Sequence, residues 1–588
     1  MTVKTQPELT LRALLTGMFL GILLTPCNIY SGLKIGWTFN MSITAALLSF
    51  GFWTLLHQLT IAKPWGLLES NINQTAASSA ASIISGGLVA PIPALALVSN
   101  IELPWYQLII WVFTVSFFGI WVAYFLLTPF LIRSPLPLPA GVATAQVMQD
   151  IFSKGHEALL RVYALGLAAL GAALIKITDS YWWTIPRLTL PGTVSTSGAS
   201  TAAGYSFKNL TFFLDPSPLL IGFGAIIGPR IGISLLVGAV LSWGIIGPEI
   251  LNQGWVLPGQ NDPTASWFPE LVGWLLWPGV TLMVTASVGP FILMLLPLNK
   301  TKQVQQDTLP TGPVYHRGKL VYAGLMVACC LVVGVQMWLF DTDFYMALLA
   351  VPLAFILAVV AGRVVGETGI PPIGAIGQVS QLSMGMAAPG NMTTNLTTAN
   401  VAGGTAGQCA DLLNDFKVGR IIHANPLHQV VAQCIGVLTG SIIGSLTYLA
   451  LIPDPQAMLI SDNWPAPAVV TWQAVAETLN VGLSAIPLNA RLAMLAGVVA
   501  SIMLMLAERH LPAKVVRIVP SGPALGLAFV IPASISFSMF LGAAIAWFLR
   551  RYALTWSQRF LIAIASGMVA GESIAGVGSA ILQLTGRY

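Results

Sequence analysis

The 588 residues of the chain are strongly apolar, because 56% of them are hydrophobic and only 8% carry a formal charge. This composition excludes ordinary soluble packing, in which a chain of such length forms several domains with charged surfaces. The net charge of +5 comes from basic residues clustered in short loops, which is the positive-inside pattern of membrane proteins and does not indicate nucleic-acid binding.

Apolar stretches of about 20 residues recur along the whole chain, and each is long enough to cross the ~30 Å hydrocarbon core of a bilayer. In chain order the predicted spans are Leu11–Tyr30, Gly36–Leu56, Leu67–Val98, Trp105–Ile132, Leu159–Ile175, Leu219–Ile246, Trp267–Leu298, Leu320–Phe340, Phe344–Ala361, Val430–Leu451, Arg491–Leu506, Gly522–Leu549 and Phe560–Leu584. The stretch Ile370–Ala399 is rich in glycine, proline, serine and threonine, which predicts an interrupted helix. The predicted fold class is an all-α integral membrane protein, with residues 1–588 forming one polytopic domain.

The basic residues also predict an orientation, since short cytoplasmic loops carry an excess of lysine and arginine. Arg12, Lys63 and the loop Lys300–Lys319 are expected on the cytoplasmic side, so the N-terminus is expected there as well. The loops Thr178–Asp215 and Asp454–Glu477 are expected outside. The expected localisation is the plasma (inner) membrane, with many passes.

Two apolar stretches break a simple alternation between the two sides. Leu219–Ile246 is expected to start and finish outside, and Gly522–Leu549 is expected to start and finish inside. Each is too short for two full spans, and each has a proline near its middle, Pro229 and Pro532. Re-entrant hairpins that enter from opposite faces explain both stretches, and secondary transporters use such broken helices.

A weak internal echo links Pro139-Ala-Gly141 with Pro520-Ser-Gly522 and predicts an internal duplication. Both copies are expected on the same side of the membrane, which fits an inverted pair poorly. The candidate halves are residues 1–300 and 318–588, joined by a basic cytoplasmic loop.

Ionisable side chains in a bilayer are costly, by about 3 kcal/mol or more at mid-depth, so each one within a span is a candidate for function. Glu572 is the clearest case, because apolar residues of the last predicted span flank it. We interpret it as a buried carboxylate that binds and releases a proton, against the alternative of a carboxyl paired with a neighbouring helix. Glu69 is a second candidate, with Asn73 one helical turn later on the same face and Gln74 beside it. A helix N-terminus near the surface would tolerate Glu69 equally well.

Three basic residues are candidates for contact with an anionic group. Arg230 follows the proline of the first predicted break, where it could meet a negatively charged ligand. Lys34 lies between two glycines near Tyr30, and a short turn explains it as well as a ligand contact. Arg363 and Glu367 are spaced i, i+4, and they are either a structural ion pair at a helix end or a gate for an interrupted helix.

The stretch Gly403–Gln433 is one of the densest gatherings of ionisable and amide side chains in the chain. Within it Asp411 and Asp415 are spaced i, i+4, where two bare carboxylates repel each other. They are predicted either to share a proton, as carboxylates of an inner gate, or to pair with the basic residues that follow. The alternative is an ordinary amphipathic helix end on the cytoplasmic side, terminated by Gly419.

Enzyme and metal-site templates fail for this sequence. His423 and His428 are five residues apart, rather than the four that place two ligands on one helical face. The chain also lacks a glycine-rich phosphate loop followed by Lys and Ser or Thr, so ATP-driven pumping is not predicted. We therefore predict no metal site and no enzyme, with a membrane-embedded enzyme using Asp411 and Asp415 as the open alternative.

Four stretches resemble the oligopeptide transporter family, which includes the yellow stripe-like metal-chelate transporters. They are Leu138–Ala145, Gly222–Pro229, Asp411–Gly419 and Ser566–Glu572. These stretches keep the family's order and are spread over most of the chain. The chain lacks the long hydrophilic N-terminus of many eukaryotic members, so it resembles a compact bacterial form. Where the second stretch usually ends in Cys-Pro this chain has Gly-Pro, a departure that bears on the substrate more than on the fold.

The resemblance implies about 14–16 transmembrane helices and proton-coupled import of short oligopeptides or peptide-like conjugates such as small tripeptides. No cofactor is expected, because the proton gradient is the driving force. The expected partners are a small peptide or peptide-like substrate, protons and the lipid bilayer, with a homodimer as one oligomeric state that this class allows. The same-class alternative is a transporter of metal chelates or siderophores, and the alternatives from other classes are an ion channel and a membrane-embedded enzyme.

On this hypothesis the candidate residues take two roles. The proton-coupling candidates are Glu572, Glu69, Glu367, Asp411 and Asp415. The substrate-binding candidates are Tyr30, Lys34, Asn73, Gln74, Arg230 and Arg363.

Overall fold

The structure is a computed structural model that describes residues 7–36, 41–60, 63–133, 136–153, 155–189, 192–194, 205–260, 262–295, 318–368, 373–482, 486–516 and 518–584. Its first helices are α1 (Leu11–Ile35), α2 (Ser42–Leu59), α3 (Leu67–Ala81), α4 (Pro91–Ser99), α5 (Trp105–Leu127), α6 (Pro139–Ser153), α7 (Gly155–Ile177), α8 (Pro218–Ile227), α9 (Pro229–Ala239), α10 (Gly247–Asn252) and α11 (Phe268–Leu295). They are followed by α12 (Gly318–Phe340), α13 (Phe344–Thr368), α14 (Ile373–Ala387), α15 (Met392–Ile422), α16 (Pro426–Leu451), α17 (Pro455–Met458), α18 (Pro467–Val481), α19 (Leu488–His510), α20 (Ala513–Val516), α21 (Gly522–Val530), α22 (Ala533–Tyr552), α23 (Leu554–Trp556) and α24 (Ile562–Leu584).

Short irregular segments extend or join some of these helices. A 3-10 turn, Ser82–Gly86, follows α3. π-helical turns lie at Thr128–Arg133, Thr178–Trp182, Val240–Ile246 and Ser557–Leu561. In the described part of the polar loop after α7, strands β1 (Leu188–Thr189) and β4 (Phe213–Leu214) pair antiparallel, as do β2 (Thr193–Val194) and β3 (Tyr205–Ser206).

The predicted fold class is confirmed. Among the described residues, thirteen helices are long and apolar enough to cross a membrane. Helix α15 has 31 residues, roughly 46 Å at 1.5 Å per residue, but its polar composition keeps it out of that group. The predicted interruption in Ile370–Ala399 is also present, since α14 ends at Ala387 and α15 starts at Met392.

The contacts between residues divide the chain into two compact units. Unit 1 consists of Met1–Ile29, Thr38–Tyr163 and Pro297–Pro453, and unit 2 consists of Tyr30–Trp37, Ala164–Leu296 and Asp454–Tyr588. Each unit therefore combines segments from the first and the second half of the chain, and α1 and α7 contribute residues to both units. The proposed halves 1–300 and 318–588 stay a prediction.

In unit 2, α8 and α22 run parallel to each other. Just before α8, the backbone N–H of Asp215 donates to Ser538 Oγ at 3.2 Å, and the Ser538 hydroxyl donates to the Asp215 carbonyl at 2.8 Å. Near the other end of α8, Ala225 packs against Ala546. The difference in residue number between contacting partners stays almost constant along the two helices, so the helices run parallel.

Helices α9 and α21 also run parallel within unit 2. Arg230 Nε donates to the carbonyl of Val519 at 2.9 Å, just before α21. Further along, Trp243 Nε1 in the π-helical continuation of α9 donates to the carbonyl of Ala528 at 2.9 Å. The starts of α9 and α21 therefore lie at one end of this pair.

The opposite end of the pair lies near the start of α8. The backbone N–H of Ala533, which opens α22, donates to Thr211 Oγ1 at 2.9 Å, and Thr211 shortly precedes α8. The segment from α8 to α10 therefore begins and finishes at the same end of this helix pair. The segment formed by α21 and α22 begins and finishes at the opposite end. The predicted breaks are present, at Gly228, where φ is 85°, and at Pro532, and both segments reverse their direction there. That they are re-entrant hairpins entering from opposite faces of a membrane stays a prediction.

In unit 1, α15 is a polar helix that other helices enclose. It packs against α3, α5, α6, α13 and α14, and most of its residues are buried. Small residues allow this, because a Cβ at Gly119 of α5 would lie only 2.8 Å from the carbonyl of Thr405. Burial among protein side chains, rather than contact with lipid, explains why so polar a helix is stable here.

The interpretation of Gly419 as a helix terminator is wrong. Helix α15 continues through Gly419 to Ile422, and His423 ends it in the left-handed conformation with φ 64°. Asn425 then caps α16 by accepting a hydrogen bond from the N–H of Leu427 at 3.0 Å. The alternative of an exposed amphipathic helix end is wrong as well, because most of α15 up to this turn is buried.

Candidate functional site

The carboxylate of Glu572 in α24 lies at the N-terminus of α8. Ser217 Oγ is 2.8 Å from both carboxylate oxygens, and the backbone N–H of Leu219 donates to Oε2 at 2.8 Å. Free N–H groups and the helix dipole favour a negative charge at such a position. Glu572 is only 2% exposed, so these bonds replace the water that an ionised carboxylate needs.

The local sequence explains why the carboxylate meets this helix end. Ser217 is the N-cap of α8 and accepts from the N–H of Leu220 at 3.3 Å, and Pro218 fills the first helical position. On the other side, Gly571 lets α24 approach α7, because a Cβ there would overlap the backbone of Ala169. Serine-proline before α8 and glycine before Glu572 together position the acid.

The last turn of α1 brings a positive charge to the same place. Lys34 Nζ lies 3.9 Å from Glu572 Oε1 and 5.7 Å from the centre of the Tyr30 ring. Tyr30 is held by an edge contact with Trp464, 5.3 Å between ring centres, and Gly576 of α24 leaves room for its ring. The structure thus brings together three sequence-predicted residues, Glu572, Lys34 and Tyr30.

A small cavity of about 30 Å³ borders this pair. It is lined by charges of both signs: Lys34, Lys176 and Arg187 are basic, and Asp179, Asp215 and Glu572 are acidic. The sequence does not indicate five of these lining residues as site candidates, because they lie in or next to the predicted external loop Thr178–Asp215. They are Lys176, Asp179, Arg187, Asp215 and Ser217. The Ser-Pro pair at the start of an apolar run is a helix N-cap pattern and could have indicated Ser217.

Glu69 has a different environment, in unit 1. Arg12 forms an ion pair with its carboxylate and donates from Nε at 2.6 Å, and the Thr10 hydroxyl donates at 2.7 Å. The backbone N–H of Gly66 completes a cap at the start of α3, at 3.3 Å. The role of Glu69 in proton coupling stays a prediction.

Replacing Arg12 tests how strongly this ion pair stabilises unit 1. Arg12→Gln leaves the carboxylate of Glu69, which is 1% exposed, without its charged partner, and it also removes a cation from the faces of Trp53 and Trp65. We expect the free energy of unfolding to fall by about 3 kcal/mol, as for other buried pairs that lose one partner. Thermal unfolding of the purified protein in detergent measures this.

The matched control is Glu508→Gln, which breaks the ion pair of Glu508 with Arg230, where both side chains are more than a third exposed. Exposed pairs contribute about 0–1 kcal/mol, so this variant should unfold close to the wild type. Equal losses in the two variants would contradict a special role for the Arg12 pair.

A second polar cluster in unit 1 contains further predicted residues. Gln74 Nε2 donates to Asp415 Oδ1 at 3.1 Å, and Asp411 lies one turn away from Asp415 on α15. Asn73 is buried, and its Nδ2 is 3.5 Å from the carbonyl of Ala45. Gln74 and Asp415 thus meet, as a pair that sequence spacing alone did not predict.

The other predicted residues lie elsewhere. Arg230 is at the far end of α8 from Ser217, roughly 15 Å away for ten helical residues, and it pairs with Glu508. The structure therefore does not bring Arg230 into the cavity. Arg363 is exposed on α13. Glu367 also belongs to α13, and its side chain lies outside what the structure describes.

An all-α membrane protein with two opposed broken helices, and with a charged cavity at the N-terminus of one half-helix, has features that secondary transporters share. The chain matches the family model described as OPT oligopeptide transporter protein over residues 8–311 and 313–583, and it belongs to that family. The family is one of transporters, so the protein is a multi-pass membrane transporter. The resemblance seen in four sequence stretches is confirmed.

Relatives of this chain are named for two kinds of cargo. YGL114W of Saccharomyces cerevisiae, named as an oligopeptide transporter, is 24% identical over 96% of this chain and 95% of its own length. YSL13 of Oryza sativa subsp. japonica, named as a metal-nicotianamine transporter, is 25% identical over 96% and 84%. The iron-phytosiderophore transporter yellow stripe 1 of Zea mays is 24% identical over 98% and 90%.

Proposed function

We propose that the protein is a proton-coupled symporter that imports short oligopeptides or peptide-like conjugates, such as small tripeptides, across the plasma membrane. One observation carries the proposal: the buried carboxylate of Glu572 faces the ammonium group of Lys34 in a cavity with charges of both signs. Family membership supports transport itself. The proton gradient as driving force and the cytoplasmic N-terminus belong to the proposal.

The charges of the cavity suit a zwitterionic substrate. A peptide carries a carboxylate at one end and an ammonium group at the other, and both need partners once they leave water. Lys34 is largely buried beside Glu572, and its ammonium group can donate three hydrogen bonds. Asp179 and Asp215 offer carboxylates for the substrate's amino end.

Glu572 couples the proton to the substrate through Lys34. When Glu572 is ionised, Ser217, Leu219 and Lys34 all stabilise its negative charge. When it is protonated, it no longer neutralises Lys34, so the ammonium group is available to a substrate carboxylate. A proton and a substrate carboxylate then occupy the site together, which is the requirement of symport.

The second candidate cargo is a metal chelate of the kind named for YSL13 and for yellow stripe 1. Its specific support is the abundance of basic groups in the cavity, since three of the six charged side chains there are cations. A chelator with several carboxylates would use all three.

The free carboxylate of the substrate is expected to decide affinity. A tripeptide should inhibit uptake of a labelled peptide roughly 10-fold more strongly than its C-terminal amide, because one charge-assisted hydrogen bond contributes about 1.5 kcal/mol or more. Lys34→Gln should remove this difference. The measurement is inhibition of uptake into proteoliposomes with an alkaline interior.

Lys319→Gln is the matched control, because Lys319 is an exposed lysine in unit 1. It should keep the preference of the wild type for the free acid. Inhibition by metal chelates, with no inhibition by peptides, would contradict the peptide proposal and favour the second cargo.

A further inference from the structure

A seam of buried polar side chains runs between α3 and α15 in unit 1. Gln74 Nε2 donates to Asp415 Oδ1 at 3.1 Å, and it also lies 3.0 Å from Thr75 Oγ1 and 3.3 Å from Asn71 Oδ1. Gln74 is fully buried and Asp415 is 3% exposed. This seam belongs to a different compact unit from the cavity around Glu572.

The seam contains two acidic side chains in close succession. Asp411 and Asp415 are one helical turn apart, so their Cβ atoms are about 5–6 Å apart. Neutral Gln74 and Thr75 supply the hydrogen bonds of Asp415. Ser82, also neutral, donates to Asp411. The nearby cation Lys417 donates to the carbonyl of Leu136 at 3.2 Å.

Three oxygen atoms of this cluster have no hydrogen-bond partner among the described residues. They are Asp411 Oδ2, Asp415 Oδ2 and Gln74 Oε1, and all three are buried. Gln74 Oε1 belongs to the amide that donates to Asp415, so it must lie close to that carboxylate. Such oxygens need a positively charged partner, because two buried carboxylates this close cannot both stay ionised alone.

Protons and metal ions are the two kinds of positive partner that such oxygens can take. A single shared proton bridges only two of the three oxygens. A hard cation accepts carboxylate, amide and hydroxyl oxygens together, and six or more of them in the case of Ca²⁺. The donor set has no sulfur or imidazole ligand, which matches this class of ion.

We propose that Asp411, Asp415 and Gln74 form a binding site for a hard, oxygen-liganded cation of the alkali or alkaline-earth class. In a transporter such a site supplies a second coupling ion, so the inference extends the proposed symport beyond the proton at Glu572. The site uses residues of α3 and α15 only, and its occupancy stabilises the contact between these two helices.

The test is thermal unfolding of the purified full-length protein in detergent. NaCl replaces choline chloride at constant ionic strength in one series, and MgCl₂ or CaCl₂ is added in others. The wild type is expected to show a saturable rise of several degrees in its midpoint with at least one of these salts, because an ion that binds only the folded state stabilises it. Asp415→Asn should abolish the rise, and Gln74→Ala should shift it to about 10-fold higher salt.

The control is Glu572→Gln, which should keep the full response because Glu572 belongs to unit 2. The readout is stability, so a failure of proton-driven uptake does not affect the result. The site would be refuted if the unfolding midpoint of the wild type responds to none of the salts. It would also be refuted if Asp415→Asn shows the same rise as the wild type. Stabilisation by acid alone, which would indicate a shared proton, would overturn the site as well. If Asp415→Asn does not fold, Asp411→Asn takes its place.

Discussion

Glu572→Gln is expected to reduce uptake driven by a proton gradient to the background of protein-free liposomes. The amide has nearly the shape of the carboxylate, and it can still accept from the N–H of Leu219 and donate to Ser217 Oγ. Folding should therefore survive, but the side chain can no longer take up and release a proton. The measurement compares uptake under an inside-alkaline gradient with exchange of labelled for unlabelled substrate without any gradient.

Exchange without a gradient should persist in Glu572→Gln, since it requires substrate binding and conformational change but no net proton movement. The matched control is Glu249→Gln, an exposed acid of unit 2 whose side chain bonds to Gln253. This control should transport like the wild type in both assays. Gradient-driven uptake by Glu572→Gln at the wild-type rate would refute Glu572 as the proton carrier.

Gly542→Leu is expected to have the largest effect on folding. Gly542 of α22 faces α8, and a Cβ at this position would overlap the backbone carbonyl of Ile221. A backbone atom cannot rotate away, so the two helices must separate. Overpacking usually costs about 1–3 kcal/mol, and a clash with backbone lies at or above the upper end. We expect a large drop in the unfolding midpoint and in the yield of folded protein.

Gly273→Leu is the control for this substitution. Gly273 lies on α11 in the same unit, and a Cβ there would have no neighbour within 4 Å. The added side chain should be tolerated, with a slight gain from the higher helix propensity of leucine. Similar instability of the two variants would show that the α8–α22 crossing does not depend on close backbone contact.

The two helix breaks could be predicted from the sequence because their causes are local. The sign of flanking charges gives the side of each end, and Pro229 and Pro532 mark the breaks. Glu572 could be found in the same way, because a single acid within an apolar span is energetically costly and is therefore a candidate for function.

The partners of these acids could not be predicted, because the chain brings them together over long distances. Ser217 is 355 residues from Glu572, and Arg12 is 57 residues from Glu69. No spacing rule connects such pairs. The sequence indicates the same role for Glu69 and Glu572, whereas in the structure Arg12 holds Glu69 in a helix cap and a cavity borders Glu572.

Helix α15 shows a second limit of sequence reasoning. Its glycine, threonine, asparagine and glutamine residues make it look like interrupted helix and surface loop, since hydropathy assumes that a span faces lipid. In the fold, protein surrounds it, so polar side chains such as those of Gln408 and Asp415 are buried against other helices. Close packing of other helices at Gly119 and Gly404 makes this burial possible. The sequence alone does not show which helices pack at these glycines.

The break at Gly228 makes α8 a short half-helix that can rotate about its C-terminal end. The half-helix is about 15 Å long, and Gly228 at its end has a positive φ and no atom near the position of a Cβ. A rotation of about 20° around this glycine moves Ser217 by roughly 5 Å, farther than its 2.8 Å bond to Glu572 can stretch. The bond between Ser217 and Glu572 therefore holds the start of α8 against α24, and the backbone contact at Gly542 couples any rotation of α8 to α22.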